Sequence, residues 1–380
     1  MERRSFLRKA GAGLAVGAVA APAMAQTQPA VQWRMASSFP KTLDALFGTA
    51  EMIARRVSEL TDGRFQIRVF ASGEIVPPLA VLDKVQDGTI ECGHTAPYYY
   101  VGKDPAFAFA TAIPFGLNSR QQSAWMYAGG GAELMDVLFK EFGCAHFMAG
   151  NTGTQMGGWF RKEIRTVADL KGLKFRIAGL AGQVMAKLGA VPTQLPATEI
   201  YQSLERGTID ASEWVGPYDD ERLGLVKVAK YYYYPGFWEG SAQLSALVNL
   251  KAWASLPKAY QAAFECACAE AHSHMQAKYD ASNTNALRRL IAAGAQLRGF
   301  SRPIMEAAEK ASYELYDELM GKSPHWKRIY PEWKKFRDDQ YLWFRVAEQS
   351  FDSFSYAQRG GVSPGQSTGA APKAAAKAAK

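Results

Sequence analysis

The chain has few of the residues on which most enzymes build their chemistry. Only five histidines, His94, His146, His272, His274 and His325, are spread over 380 residues. His272 and His274 stand two apart in a helical pattern, so they point to different faces, and no H-E-x-x-H occurs. No serine elbow of the G-x-S-x-G type joins a strand pattern to a helix pattern, and no G-x-x-x-x-G-K phosphate loop is present. Gly179-Leu180-Ala181-Gly182 follows a strand and opens a helix, but it lacks the third glycine of a dinucleotide-binding turn. The four cysteines, Cys92, Cys144, Cys266 and Cys268, have no zinc spacing. Cys266 and Cys268 cannot pair on one helix; a Cys92–Cys144 bridge is open, as is the reading of both as small buried hydrophobes. Beyond the leader, no run approaches the roughly 20 apolar residues of a membrane helix.

Charge is also scarcer than it looks. The net +8 is concentrated at the ends. Arg3, Arg4, Arg8 and Lys9 outweigh Glu2 at the start, and Lys373, Lys377 and Lys380 lie in an Ala/Gly-rich tail, so the body between keeps about +2. That excludes an electrostatic footprint for nucleic acid. The N-terminal charges have their own meaning. A twin-arginine pair, a weakly apolar run from Ala10 to Ala21 and the triplet Ala23-Met24-Ala25 follow in the order of an export signal, with cleavage expected before Gln26. The mature chain is expected in the periplasm without a lipid anchor, since no cysteine follows the cleavage point.

Periodicity then predicts an α/β fold. Strand patterns at Gln32–Ala36, Phe65–Val69 and Thr89–Cys92 alternate with helix patterns at Leu43–Leu60 and Leu79–Val85, the beginning of a mainly parallel sheet. Helices are expected at Gln121–Tyr127 and Ala132–Phe142, broken by Gly129–Gly131, then a strand at Ala145–Ala149. A second set follows: strands at Gln155–Phe160, Lys174–Ile177 and Ile209–Glu213, with helices at Leu180–Leu188 and Glu199–Leu204. Leu244–Asn249 reads as a buried strand returning to the first unit, with Tyr231–Tyr234 packed beside it. Helical patterns fill Pro257–Ala293 and Pro303 to about Phe354, with Pro324 and Pro331 as interruptions. The expected organisation is a leader at 1–25, α/β domain I over 26–150 and about 244–300, α/β domain II over 151–243, C-terminal helices at 301–359 bracing both domains, and a disordered tail at 360–380. Two domains joined by several crossings suit a hinged cleft.

The stretch from Val167 to Trp214 carries the most specific pattern: Asp169-Leu170-Lys171-Gly172-Leu173-Lys174-Phe175-Arg176, then Leu188-Gly189-Ala190, then Glu199 to Asp210 (EIYQSLERGTID). It resembles the DctP-type solute-binding proteins of tripartite ATP-independent periplasmic (TRAP) transporters, over most of the chain from about Val31 to about Phe354. The segments at 97–118 and 231–240 resemble the branch that binds 2-oxo or 2-hydroxy monocarboxylates such as pyruvate or lactate. The resemblance implies a hinged two-domain binding protein working with membrane permease subunits, with homodimers in some members.

Arg176 is the first candidate. It ends a strand, where an open α/β sheet presents its ligand crevice, and its guanidinium fork matches a carboxylate. The resemblance also implies a sodium or calcium ion beside the ligand, held by side-chain oxygens of Gln155 and Glu213 and by the Trp214 carbonyl; Glu239 or Gln243 is the further candidate. Gln155 and Trp214 would also touch the substrate. In Tyr98–Tyr100, Tyr99 or Tyr100 is a candidate donor to the ligand, against the alternative that the run only packs. An exported cofactor-bearing oxidoreductase and a periplasmic chemoreceptor are the competing functions; the missing cofactor and triad motifs speak against the first.

Overall fold

The computed structural model describes residues 29–358, so the twin-arginine leader and the tail from 360 lie outside the described residues. In chain order its strands are β1 (Val31–Ser37), β2 (Phe65–Phe70), β3 (Cys92–Thr95), β4 (Cys144–Asn151), β5 (Gly158–Phe160), β6 (Lys174–Arg176), β7 (Val191–Thr193), β8 (Ala211–Ser212), β9 (Tyr231–Tyr234), β10 (Gln243–Asn249) and β11 (Gln296–Gly299). The helices are α1 (Leu46–Leu60), α2 (Val81–Gln86), α3 (Ser119–Ala128), α4 (Gly131–Glu141), α5 (Gly179–Lys187), α6 (Ala197–Arg206), α7 (Pro217–Arg222), α8 (Leu250–Ser255), α9 (Lys258–Ala292), α10 (Arg302–Lys322), α11 (Pro324–Phe344) and α12 (Ser350–Gln358).

Two sheets result, with orders β2-β1-β3-β10-β4 and β11-β9-β5-β8-β6-β7. In the first, Trp33 and Met35 of β1 turn inward while Gln32 and Arg34 face out. Ala50, Ile53, Ala54 and Val57 form the buried stripe of α1, which packs on β2 and α9. The chain reaches the second sheet after β4 and returns at β10, as the apolar Leu244–Asn249 pattern predicts. Both sheets are mixed, whereas the alternating strand and helix patterns suggested mainly parallel ones: β10 runs antiparallel to β3 and β4, and β5 antiparallel to β8 and β9. Strands that re-enter a sheet from the other half have no crossover helix to impose parallel pairing.

Several expectations are corrected. The third strand begins at Cys92, not Thr89, because Thr89 N–H donates to Asp87 Oδ1 at 2.8 Å and Ile90 N–H to Lys84 O, extending the turn. Tyr231–Tyr234 does not sit beside β10. It is an interior strand of the second sheet, where the Tyr232 hydroxyl donates to Asp220 Oδ2 (2.6 Å) and that of Tyr233 to Ile164 O (2.9 Å). Gln296–Gly299, read as part of domain I, pairs in parallel with it. Pro324 opens α11 under a Ser323 cap, but Pro331 lies inside that helix. Burial of Trp326, Ile329, Tyr330 and Trp333 outweighs the one backbone bond that Pro331 removes. All four cysteines are free. Cys92 and Cys144 lie on strands separated by β10, about 10 Å apart at the usual spacing, beyond disulfide reach.

Helix α9, 35 residues and about 52 Å long, runs from α1 and β4 of the first half to α7 of the second. The following pair also touches both halves, α10 packing on α5 and α11 on α3 and α4. Among the described residues no helix is long and apolar enough to cross a membrane.

Glycine 93 shows how tightly β3 and α2 meet. A Cβ there would lie 2.2 Å from Val81 Cγ1 and 3.2 Å from Val85 Cγ2, both fully buried. Gly93→Ala is expected to cost about 1–3 kcal/mol of stability by overpacking, read as a lower urea midpoint at unchanged slope.

Candidate functional site

The site forms where the chain crosses between the sheets. The segments after β4 and before β10 run side by side and bond to each other: Thr152 N–H to Ala242 O (3.1 Å), Gln155 N–H to Glu239 O (3.0 Å) and Gly236 N–H to Gln155 O (3.0 Å). Gln155 and Glu239 are thereby placed at the junction by backbone pairing. From the second half, β6 brings Arg176 to its carboxyl end, and the end of β8 brings Glu213 and Trp214 alongside, with Glu213 N–H donating to Arg176 O (3.1 Å).

Arg176, Glu213, Glu239 and Gln155 are 1–4% exposed. Arg176 Nη1 donates to Glu213 Oε1 at 2.5 Å and to the Glu213 carbonyl at 3.1 Å, and Nε to Leu195 O at 3.0 Å. Its guanidinium carbon lies 5.0 Å from the Trp214 ring centroid. Ala178 N–H, at the start of α5, also donates to Glu213 Oε1 (3.1 Å). These bonds use one face of the arginine. Nη2 of Arg176, Oε2 of Glu213 and Oε1 of Glu239 are buried without a partner, a costly arrangement for charged groups.

The Gln155 amide ends 2.7 Å from the Trp214 carbonyl oxygen and 2.6 Å from Glu239 Oε2, its other side lying 3.1 Å from Thr152 Oγ1. Turned one way, the amide nitrogen donates to both oxygens. Turned the other, three oxygens converge and demand a cation. Oxygen donors of carboxylate, amide and carbonyl type suit a hard cation, so the residues present fit sodium or calcium. Among the described residues no cluster of three or more His, Cys, Asp or Glu exists to hold a metal otherwise.

Burial dominates the electrostatics. It pushes the Glu239 carboxyl well above the usual range, and the Glu213 charge adds to the push. Burial raises Glu213 as well, against the opposing pull of Arg176. Beneath the Trp214 segment, burial lifts Asp219 and Asp220 to about 7. They accept bonds from Tyr279 (2.8 Å) and from Trp159 and Tyr232 (3.0 and 2.6 Å), anchoring α7 to α9 and the sheet. These two aspartates were missed in the sequence, where an Asp-Asp pair at a helix start reads as solvated.

The structure thus brings together Gln155, Arg176, Glu213, Trp214 and Glu239, and sets Tyr99 against Arg176 from the 3₁₀ turn at Pro97–Tyr100. Tyr100 is not brought there. Its hydroxyl lies 2.8 Å from Thr95 Oγ1 and accepts from Leu82 N–H (3.2 Å), inside the first half. Tyr98 takes its place, close enough to Glu239 to influence its charge. Gln243 bonds Ala110 O (3.1 Å) and Gln122 (3.4 Å) and not the oxygen cluster. His94 serves packing: it donates to Ala149 O (2.8 Å), and burial lowers it to about 4.

Two α/β halves closing over a buried guanidinium and converging oxygens define a periplasmic binding protein of the two-lobed type. The family model "bacterial extracellular solute-binding protein, family 7" (DctP) matches residues 36–323. The chain belongs to this family, the solute-binding proteins of TRAP transporters; it is a periplasmic transport component and not an enzyme. It is 51% identical over 361 residues to a monocarboxylate 2-oxoacid-binding periplasmic protein of Nostoc sp., covering 93% of this chain and 99% of the relative. A TRAP transporter solute-binding protein of Bordetella bronchiseptica is 52% identical with a TM-score of 0.86, covering 87% of this chain and 98% of that one. It was solved as a mixed-occupancy dimer with copurified calcium and picolinate in one active site and the other apo. A Pseudoalteromonas atlantica relative with bound sodium and pyruvate is 40% identical with a TM-score of 0.83, covering 85% and 98%.

One contact across the cleft depends on a missing side chain. Gly179, at φ +64°, faces Tyr98 of the opposite half, and a Cβ there would lie 2.7 Å from Tyr98 Cδ2. Gly179→Ala is expected to keep the fold but wedge the halves apart, giving a larger radius of gyration in small-angle scattering than the unaltered protein.

Proposed function

We propose that the chain captures a small 2-oxo (or 2-hydroxy) monocarboxylate of the pyruvate type together with a metal ion, and hands it to its membrane permease subunits. The observation that carries this reading is the buried, unpartnered Arg176 Nη2 beside the converging oxygens of Gln155, Trp214 and Glu239. A carboxylate oxygen completes the arginine's fork, and the adjacent oxo oxygen chelates the ion, which favours 2-oxo acids over plain fatty acids. Trp214 and Tyr99 wall the pocket. Gln155, Glu213, Glu239 and the Trp214 carbonyl hold the ion.

Charge sets which ion fits. With both glutamates ionised, a bound monocarboxylate makes three negative charges against the single guanidinium, and a divalent cation closes the count. With Glu239 keeping the proton that its burial favours, a monovalent ion closes it, so calcium and sodium both satisfy a site where uncompensated charge is not tolerated. Calorimetric titration with pyruvate in calcium buffer tests the reading. Strong binding is expected, abolished by exhaustive chelation in sodium-free buffer and weakened by at least roughly tenfold in Arg176→Lys, which keeps the charge but not the fork. Binding that survives both changes overturns it.

A second copy of the chain is the further partner in this reading. Leu342, Trp343, Val346, Phe351 and Phe354 are 58–69% exposed on the last helices, an unusual concentration of apolar side chains on a surface. Sedimentation is expected to give a dimer, and replacing Trp343, Phe351 and Phe354 by serine a monomer that still binds pyruvate.

A further inference from the structure

Outside the ligand site, a set of contacts between the two halves gathers on one half-exposed carboxylate, Asp44. We propose that Asp44 is a closure latch, a positioning residue that sets ligand affinity without touching the ligand; this rests on the binding function above. Asp44 lies in the turn between β1 and α1, in the first half. Lys278 of α9 donates to its carboxylate (2.7 Å) and to its carbonyl (3.0 Å). From the second half, the Tyr218 hydroxyl donates to Oδ2 (3.0 Å), and Arg222 Nε forms an ion pair with Oδ1 at 3.0 Å. Tyr218 and Arg222 are themselves organised, the guanidinium carbon lying 3.7 Å from the Tyr218 ring centroid and Nη1 donating to Tyr218 O (3.1 Å). Both stand on α7, four and eight residues beyond Trp214, so the latch and the ligand wall move as one piece.

Lys278 lies beside Tyr279 and Asn283 of α9, which bond Asp219 and the Tyr218 N–H of α7, so Lys278, Tyr218 and Arg222 form one patch that Asp44 meets from the first half as the lobes close. Asp44 is 45% exposed at its side chain, so the pair is salt-screened and adds little to folding. An open–closed equilibrium is balanced within a few kcal/mol, however, and there a modest contact counts: apparent affinity scales with the closed fraction. The latch holds the closed form, so it slows release and also raises the closed fraction of the ligand-free protein.

Stopped-flow release of pyruvate from the calcium-loaded protein tests this. Asp44→Asn and Arg222→Gln are each expected to speed dissociation about three- to tenfold, with full binding stoichiometry and an unchanged melting temperature of the ligand-free protein. In choline chloride, the unaltered protein should lose this advantage as salt rises, while Asp44→Asn stays flat. Unchanged dissociation in Asp44→Asn overturns the latch, and an equal fall in ligand-free melting temperature assigns Asp44 to folding instead. Scattering from ligand-free protein adds an arm independent of the acid: Asp44→Asn should be the larger particle, and equal dimensions overturn the latch whichever solute is bound. Loss of pyruvate binding by the unaltered protein would instead overturn the assigned solute and leave the scattering arm to judge the latch.

Discussion

The Arg176–Glu213 pair is the interaction on which the rest of the site depends. A guanidinium and a carboxylate at 1% exposure survive only because geometry supplies partners from three directions: the Glu213 side chain and carbonyl, the Leu195 carbonyl and the Trp214 ring. Holding the arginine this way leaves one edge of its fork unused. Glu213, in turn, is held by Ala178 N–H, so the start of α5 and the ends of β6 and β8 are tied into one rigid wall. That rigidity is what a binding site for a small acid requires, because a ligand of few atoms can contribute little energy to ordering its own pocket.

The other side of the site is built on the crossing segments. Gln155 and Glu239 belong to the strands of chain that join the two sheets, so their oxygens sit where the chain crosses between the halves. The remaining contacts lie at the cleft's edges, Tyr98 against Gly179, Gln194 Nε2 donating to Tyr99 O (3.2 Å), and the Asp44 cluster. In the function proposed above, ion and acid are enclosed between the two halves, which couples binding to a shape that a permease can recognise.

Much of the fold was legible from periodicity. The stripe of α1, the alternation of β1 and β2 and the return at Leu244–Asn249 follow from local pattern and short turns. The errors fall where long-range pairing decides. A run of four tyrosines has no alternation to read, and its place inside the second sheet depends on Asp220 and Ile164 accepting its hydroxyl bonds. Gln296–Gly299 is a short half-exposed strand given its role by β9, and Pro331 is tolerated because aromatic packing holds α11 on the first half.

The sequence by itself determined the α/β class and singled out Arg176 at a strand end, since periodicity and strand ends are local properties; Glu213 and Gln155 came into view only through the resemblance to the family. Only the tertiary structure decided between Glu239 and Gln243, and between Tyr98 or Tyr99 and Tyr100. Residues four apart in the crossing segment, or neighbours in a 3₁₀ turn, carry nearly the same local signal. Which of them faces the cleft depends on backbone pairing with distant segments: Glu239 is turned inward by its bonds to Gln155, while Tyr100 is drawn away by Thr95 and Leu82.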